Sequence, residues 1–273
     1  MSPESLAELY LGRVPLIISF PHVGTILPPE IAQHMTPLAA KVPDTDWHVH
    51  LLYDFARQAG VSWLQARISR YAIDVNRPPD NQPLYPGQTT SELCPTLSFA
   101  GGALYPGAPP SLEEIAKRRD HYWVPYHAML RELIESTRAR FGYAVLLDAH
   151  SIRSQLPRLF SGRLPDINVG THDGKSCSPA LSSRLQAVLG RQTRFSHVLN
   201  GRFKGGYITR TYGNPAANVH AVQIELSQAC YMNDSKTDYF PALALPLQSL
   251  LQAIVTELLA YDPFDRQGKT PIL

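Results

Sequence analysis

The chain has 273 residues, of which 44% are hydrophobic and 18% charged, so its composition is that of a globular protein and excludes a disordered one. A formal net charge of +2 argues against nucleic acid or an anionic membrane as the main partner, and three cysteines without CxxC spacing argue against a disulfide framework or an all-cysteine zinc site. The sequence begins without the pattern of a signal peptide, and no apolar run approaches the length of a membrane span, so we expect a cytoplasmic protein. The sequence predicts no particular oligomeric state.

The N-terminal part of the chain predicts a strand followed by a helix. Residues 14–20 (VPLIISF) form a short apolar run that ends at a proline, which is typical of a buried strand. Apolar side chains then recur at helical spacing over 46–59, which predicts an amphipathic helix. Asp44 or Thr45 is available as its N-cap and Gly60 as the residue that ends it.

Two further strands and a long loop are predicted next. Residues 61–68 and 71–75 have the composition of strands separated by a bend. Residues 76–110 are rich in proline and glycine and lack periodicity. So long an irregular stretch in a compact protein is typical of a functional loop.

The C-terminal half alternates helices and strands. Ser111 and Glu114 form a capping-box pattern at the start of a helix that is expected to reach about Arg140, with a kink at Pro125. The remaining predicted elements are strands over 143–148, 194–199 and 219–226 and helices over 179–190 and 241–261. Strands that alternate with helices indicate one α/β domain over 1–273, with a mixed, mostly parallel sheet flanked by helices on both faces.

Polar residues that follow the predicted strands are candidates for a metal site, because ligands bind outside the carboxyl ends of strands in open α/β sheets. His22 follows the first strand, His150 follows 143–148, and Asp44 and Asp46 stand at the start of the first helix. Two histidines and one carboxylate from separate segments are a ligand set of catalytic zinc. A further, non-ligand Glu would act as general base.

Each of these residues also has an ordinary structural interpretation. His22 would be a turn histidine, His150 a strand-end residue satisfied by Asp148, and the two aspartates N-caps. Glu225 is harder to explain in this way, because it lies among apolar residues of a predicted strand. A buried carboxylate there needs a partner or a function.

Two basic segments are candidates for binding an anionic ligand. Arg70 and Arg77, with Asn76 beside the second, have the side chains that hold a carboxylate by bidentate hydrogen bonds. The alternative is a surface pair of Arg70 with Asp74 and an exposed Arg77. The other segment, 200–210, combines glycines that allow close backbone approach with Arg202, Lys204 and Arg210, and its alternative is a flexible basic hairpin.

An ordered set of segments carries a family resemblance. Between about residues 14 and 232 the chain resembles the N-formylglutamate amidohydrolases in six stretches: SFPHVGTILP, DTDWHVHLLYDFA, SRYAIDVNRPPDNQPLYPGQ, LLDAHSIRS, NGRFKGGYITRTYG and HAVQIELSQ. That family is similar to the zinc-dependent exopeptidases, with a phosphorylase/hydrolase-like fold. PHxG or DAHS alone is unspecific, whereas the set in this order is specific.

The resemblance implies a role for each candidate residue. The metal, Zn²⁺ or alternatively Co²⁺ or Fe²⁺, would be held by His22, Asp46 and His150, with Asp46 favoured over Asp44. Glu225 would be the general base. The resemblance further implies that Arg70 polarises the scissile carbonyl and that Asn76 and Arg77 hold a substrate carboxylate. Arg202, Lys204 and Arg210 are candidates for a second carboxylate.

The implied activity is the hydrolysis of N-formyl-L-glutamate to L-glutamate and formate, a step of histidine catabolism. The partner would then be a small dianionic N-acyl amino acid. Two alternatives remain: an amidohydrolase of the same mechanism that acts on another N-acyl amino acid, and a non-catalytic module that binds a small ligand.

Overall fold

A computed structural model describes residues 6–84, 87, 89–233 and 237–265. Within these residues the chain forms a seven-stranded sheet in the order β1-β3-β2-β4-β7-β5-β6. Its strands are β1 (Ala7–Tyr10), β2 (Leu16–Phe20), β3 (Ser62–Ala66), β4 (Ala144–Ile152), β5 (Ile167–Gly170), β6 (His197–Leu199) and β7 (Val219–Ser227).

The sheet is mixed and mostly parallel. Strands β3, β2, β4 and β7 are neighbours and run parallel to one another. Strand β1 pairs antiparallel with β3 at one edge, and β5 pairs antiparallel with β7 toward the other. The four adjacent parallel strands bring their carboxyl ends to one edge of the sheet, and the predicted fold class is confirmed.

Helices cover both faces of this sheet. They are α1 (Pro29–Ala32), α2 (Val49–Leu52), α3 (Phe55–Gln58), α4 (Leu112–Arg118), α5 (Val124–Phe141), α6 (Pro179–Gly190), α7 (Tyr207–Tyr212) and α8 (Pro241–Leu259). Side chains of β2 alternate between the faces, because Leu16 and Ile18 pack with α2, α6 and α8, whereas Ile17 packs with α5. The core is therefore divided into two layers by the sheet.

The structure corrects two predicted elements near the site. The helix predicted over 46–59 is two short helices, α2 and α3, and His48 before α2 has a left-handed backbone (φ 60°). The strand predicted over 71–75 is wrong. These residues form turns because the backbone N–H of Ala72 and of Tyr71 both bond to Ser69, at its carbonyl and its hydroxyl oxygen respectively.

The long helix predicted from Ser111 is present in three parts. The Ser111 hydroxyl accepts from the Glu114 N–H at 3.2 Å, as the capping box predicts. A five-residue π-helical segment, Arg119–Trp123, joins α4 to α5 just before Pro125. This wider turn accommodates the proline, which lacks an N–H, where the sequence predicts a kink. Strands β1 and β5 and helix α7 were not predicted.

Helix α8 is, among the described residues, the one helix long and apolar enough to cross a membrane by length and composition. Its buried residues recur at helical spacing and pack in the same core layer as α6: Ala244, Leu247, Leu250, Leu251, Ile254, Val255 and Leu258. This pattern is that of a core helix with one exposed face.

Candidate active site

The site forms where one face of the sheet changes from apolar to polar. On β4 the face toward α5 carries Leu146 and then Asp148 and His150, and on β7 it carries Ala221 and then Gln223 and Glu225. The parallel register pairs Asp148 with Gln223 and His150 with Glu225. Strand β4 extends to Ile152, so His150 lies inside the strand and not after it, as the sequence analysis expected. The strand pairing thus fixes the spacing of these polar groups.

His22, Asp46 and His150 come together at this edge. Their potential ligand atoms all lie within 4.8 Å of one another, and the three residues are buried. Nδ1 of His150 is 3.0 Å from Oδ2 of Asp46, and Nδ1 of His22 is 3.7 Å from the same oxygen. The sequence-predicted ligand set therefore forms one cluster, with the chemistry of a two-histidine, one-carboxylate metal site.

Each histidine has a second carboxylate on its other nitrogen. Nε2 of His22 lies 2.6 Å from Oδ1 of Asp74, and Nε2 of His150 lies 3.0 Å from Oδ1 of Asp148. In metal sites a carboxylate hydrogen-bonded to a histidine, as Asp74 is to His22, fixes the tautomer that leaves the opposite nitrogen as ligand. Burial disfavours the charged carboxylate of Asp74, but His22 and Arg70 outweigh this effect and hold its pKa well below the usual range.

Asp44 lies outside this cluster. Its Oδ2 accepts hydrogen bonds from the Tyr71 hydroxyl and from the Phe99 backbone N–H, both at 2.6 Å. Burial raises the pKa of its carboxyl. Asp44 thus ties the turn before the 76–110 loop to the loop itself, and neither aspartate is the N-cap of a helix, because α2 begins only at Val49.

Arg70 is buried beside the cluster, so its pair with Asp74 is not a surface pair. Its Nη2 donates to Oδ2 of Asp74 at 2.7 Å, and its Nη1 lies 3.7 Å from Oδ1 of Asp46. The Phe99 ring covers the guanidinium at 4.6 Å. The arrangement puts a fixed positive charge next to the candidate metal ligands.

Asn76 and Arg77 both line the cleft, with different contacts. The Asn76 amide nitrogen lies 2.9 Å from Nε2 of His150 and donates to Asp148 at 3.2 Å, while its oxygen accepts from the Ile208 N–H at 2.8 Å. Arg77 bonds across the loop to Ser91 through Nε and Nη2. Both side chains therefore lie at the cleft wall and are held by the protein, Asn76 against His150 and Arg77 against Ser91.

The 200–210 segment is not a hairpin but a loop that leads into α7. Arg202 lines the cleft and donates to the carbonyl oxygens of Leu159 and Thr89, each at 3.0 Å. Lys204 and Arg210 do not line it. Lys204 pairs with Asp173 at 3.1 Å, and Nε of Arg210 donates to the Gly205 carbonyl. Of the three predicted cations, the structure thus brings Arg202 to the cleft.

Glu225 lies in the cleft and is 7% exposed. Burial raises the pKa of its carboxyl to about 8. Its Oε2 accepts a hydrogen bond from the Gln223 amide at 3.1 Å. A buried carboxyl with a raised pKa, next to a cluster of metal-ligating groups, has the properties expected of a group that exchanges protons.

Sequence reasoning missed several residues that line the cleft or contact the candidate ligands. It treated Asp74 and Asp148 only as partners in ordinary structural pairs, and it did not single out Gln223 or Phe99. For Asp148 and Gln223 a signal was present, since each stands two residues before a candidate and therefore on the same face of its strand. For Asp74 and Phe99 the contacts arise only from loop conformation.

The chain is similar in sequence to known proteins over most of its length. The family model for N-formylglutamate amidohydrolase matches residues 14–232. The chain belongs to the N-formylglutamate amidohydrolase family. An N-formylglutamate deformylase from Pseudomonas putida is 48% identical over 260 residues, which cover 94% of this chain and 97% of that protein. One from Pseudomonas aeruginosa is 49% identical over 252 residues, which cover 92% and 94%.

Solved structures share the fold of this N-formylglutamate amidohydrolase family member. The crystal structure of N-formylglutamate amidohydrolase from Ralstonia eutropha JMP134 has a TM-score of 0.79 at 24% identity and covers 93% of this chain and 98% of that one. A gene product from Agrobacterium tumefaciens has a TM-score of 0.70 at 17% identity, with 94% and 97% covered. The family seen in the sequence motifs is confirmed, and with it the class of enzyme, an amidohydrolase.

Proposed function

We propose that this protein hydrolyses N-formyl-L-glutamate to L-glutamate and formate. The observation that carries the proposal is the buried cluster of His22, Asp46 and His150, with Glu225 in register beside His150 on the neighbouring strand β7. Two curated relatives about as long as this chain are named N-formylglutamate deformylase, at 48% and 49% identity. As in the sequence analysis, we place the reaction in histidine catabolism in the cytoplasm and in one domain over 1–273.

The residues present fit a divalent metal ion. His22, Asp46 and His150 would hold it, because both Nδ1 atoms face the Asp46 carboxylate while both Nε2 atoms contact other carboxylates. Histidine nitrogen with one carboxylate suits zinc, and cobalt or iron as alternatives. Such an ion supplies Lewis-acid polarisation of a carbonyl and lowers the pKa of water from 15.7 to about 7.

Glu225 is the proposed general base. Gln223 binds Oε2, which leaves Oε1 as the oxygen that takes the proton from the attacking water. The same oxygen then returns the proton to the nitrogen of the departing glutamate. The positive charge of a bound cation acts against the rise in pKa that burial causes, so that the carboxylate is ionised at the start of the reaction.

The cations of the cleft orient the substrate. Arg70, next to Asp46, stabilises the negative charge that develops on the formyl oxygen. Arg77 and Arg202 line the cleft and bind the two substrate carboxylates. Asn76 supports the site through Asp148 and α7. Lys204, which is paired with Asp173, and Arg210 lie outside the cleft lining and have no part in this proposal.

One assay tests this function. We expect purified protein to release formate from N-formylglutamate, to act at least tenfold more slowly on N-acetylglutamate, and to lose turnover after a chelator until zinc, cobalt or iron is added back. Faster turnover of N-acetylglutamate would support the alternative, another N-acyl amino acid as substrate. Full activity after verified metal removal would contradict the metal-dependent mechanism.

A further inference from the structure

Gln223 lies on β7 two residues before Glu225 and on the same face of the strand. It is 4% exposed, lines the cleft, and pairs in register with Asp148 on the neighbouring strand. The sequence motifs assign it no role, and the proposed mechanism uses only its bond to one carboxyl oxygen of Glu225. A buried amide in this place needs its hydrogen bonds satisfied by specific partners.

The orientation of the Gln223 amide is fixed by a backbone donor. Its Oε1 accepts a hydrogen bond from the Gly206 N–H at 2.6 Å. Because that N–H can only donate, the oxygen of the amide faces Gly206 and the nitrogen faces Glu225. The nitrogen donates to Oε2 of Glu225 at 3.1 Å. Among the described residues, Gln223 is the one that hydrogen-bonds the Glu225 carboxyl.

Gly206 is itself held against the site. A Cβ at this position would lie 2.5 Å from the Asn76 amide nitrogen, so glycine is required for the close approach. Two residues later the Ile208 N–H donates to Asn76, whose amide in turn donates to Asp148. The Gln223 amide therefore joins Glu225 to the start of α7, a segment already fixed to the histidine cluster.

We propose that Gln223 is a positioning residue for Glu225: by bonding Gly206 with one end of its amide and Oε2 of Glu225 with the other, it holds the carboxyl in the orientation from which Oε1 accepts the proton. This inference rests on the proposed function of Glu225. A residue that acts in this way affects the chemical step, and its effect requires a carboxylate at position 225.

A double-mutant cycle tests the proposal with formate release as the assay. Gln223→Met keeps the length of the side chain but removes both hydrogen bonds. In the wild-type background we expect kcat to fall about 10- to 100-fold, the worth of one hydrogen bond to a charged group, with KM within about twofold. In the Glu225→Gln background, where there is no carboxylate to position, the same change should lower kcat less than about threefold.

Asn168→Leu is the matched control. Asn168 is a buried amide opposite Glu225 on β5, and it donates to the Glu225 backbone oxygen at 3.2 Å and not to its carboxyl. Its loss of kcat, of whatever size, should be the same in both backgrounds. Melting temperature and metal content are measured for every variant, so that loss of fold or metal is distinguished from loss of positioning.

Equal losses from Gln223→Met in both backgrounds would overturn the proposal, as would a rise in KM with unchanged kcat, which would make Gln223 a substrate contact. If Gln223→Met does not fold, Gln223→Asn replaces it. That side chain is one methylene too short to bridge Gly206 and Glu225, and the same non-additive loss is expected. A wild-type protein that releases no formate would refute the proposed function instead, which separates the two failures.

Discussion

At the residue scale, Asp44 and Asp46 are two positions apart and differ completely in their contacts. Asp46 faces both histidines, whereas Asp44 bonds Tyr71 and Phe99. We expect Asp46→Asn to lose bound metal and Asp44→Asn to keep it, since an asparagine oxygen still accepts the two bonds of Asp44. Metal analysis of both dialysed proteins checks this, and metal loss in the Asp44 variant alone would reverse the assignment.

The two candidate histidine ligands, His22 and His150, are tested separately from the aspartates. His22→Ala or His150→Ala removes one of three protein ligands, so we expect loss of bound metal and of nearly all formate release. His127→Ala serves as the control for loss of a buried histidine elsewhere, because His127 bonds Tyr212 and Val75 and is not part of the cluster. Full metal occupancy in either ligand variant would exclude that residue as a ligand.

Glu225→Gln separates chemistry from structure at one position. Glutamine keeps the shape of the side chain but cannot take a proton, so kcat should fall about 10²- to 10⁴-fold. Metal content should stay at the wild-type level, because Glu225 is not in the ligand cluster. Metal analysis, a melting curve and the turnover assay are read together. Retained turnover would refute the role of Glu225 as general base.

At the element scale, the strands show how much of the site the sequence contains. Alternation along β4 and β7 puts Asp148 with His150, and Gln223 with Glu225, on one face of each strand, and this can be predicted from the sequence alone. The pairing of β4 with β7 in this register cannot be predicted from the sequence alone, because it depends on which strands become neighbours in the sheet. The chemistry of each strand was therefore predictable, and the distances across strands were not.

The loops were the least predictable part. Residues 71–75 have the apolar, β-branched composition of a strand, yet they form turns that bury Asp74 between His22 and Arg70. Tertiary contacts outweigh β-propensity there. Strands β1 and β5 are four residues each, too short for periodicity to indicate them. These misses share a cause, since each element is stabilised by contacts distant in sequence.

The loop that begins at Asn76 places Arg77 in the cleft wall. The guanidinium group of Arg77 allows a test of how the substrate carboxylate is bound. Arg77→Lys should raise KM about 10- to 100-fold with a smaller effect on kcat, because lysine does not reproduce bidentate bonds to a carboxylate. Lys204→Met, in a side chain paired with Asp173 away from the cleft, is the control and should leave KM near wild type. An unchanged KM in Arg77→Lys would move the carboxylate contact to Arg202.

At the scale of the whole molecule, the candidate ligands come from three distant segments, at positions 22, 46 and 150. A bound metal would therefore stabilise the folded chain over the unfolded one. At a concentration 100 times its Kd, an ion adds about 2.7 kcal/mol to the free energy of unfolding. We expect the chelated protein to melt about 5 °C lower or more, with recovery on adding metal. The His22→Ala protein should show no such recovery.

Acid stability is also set by the whole fold, through histidines buried away from the site. Burial lowers the pKa of His127 and of His220 to about 4, from 6.5. Between pH 6.5 and 4 the unfolded chain binds a proton at each of these positions and the folded chain does not, so the free energy of unfolding falls as pH falls.

For His127 alone this loss in the free energy of unfolding approaches about 3 kcal/mol near pH 4. His150 has the opposite shift, since Asp148 and Asp46 outweigh burial and raise its pKa well above 6.5, so its contribution to the free energy of unfolding rises as pH falls through 6.5. This contribution is common to wild type and a His127 variant and cancels when their slopes are compared. Urea unfolding of wild type and His127→Gln at pH 7, 6 and 5 measures the effect. The variant, which starts less stable because its bonds to Val75 and Tyr212 are changed, should lose stability less steeply toward acid. Equal slopes for the two proteins would show that His127 does not set the acid limit.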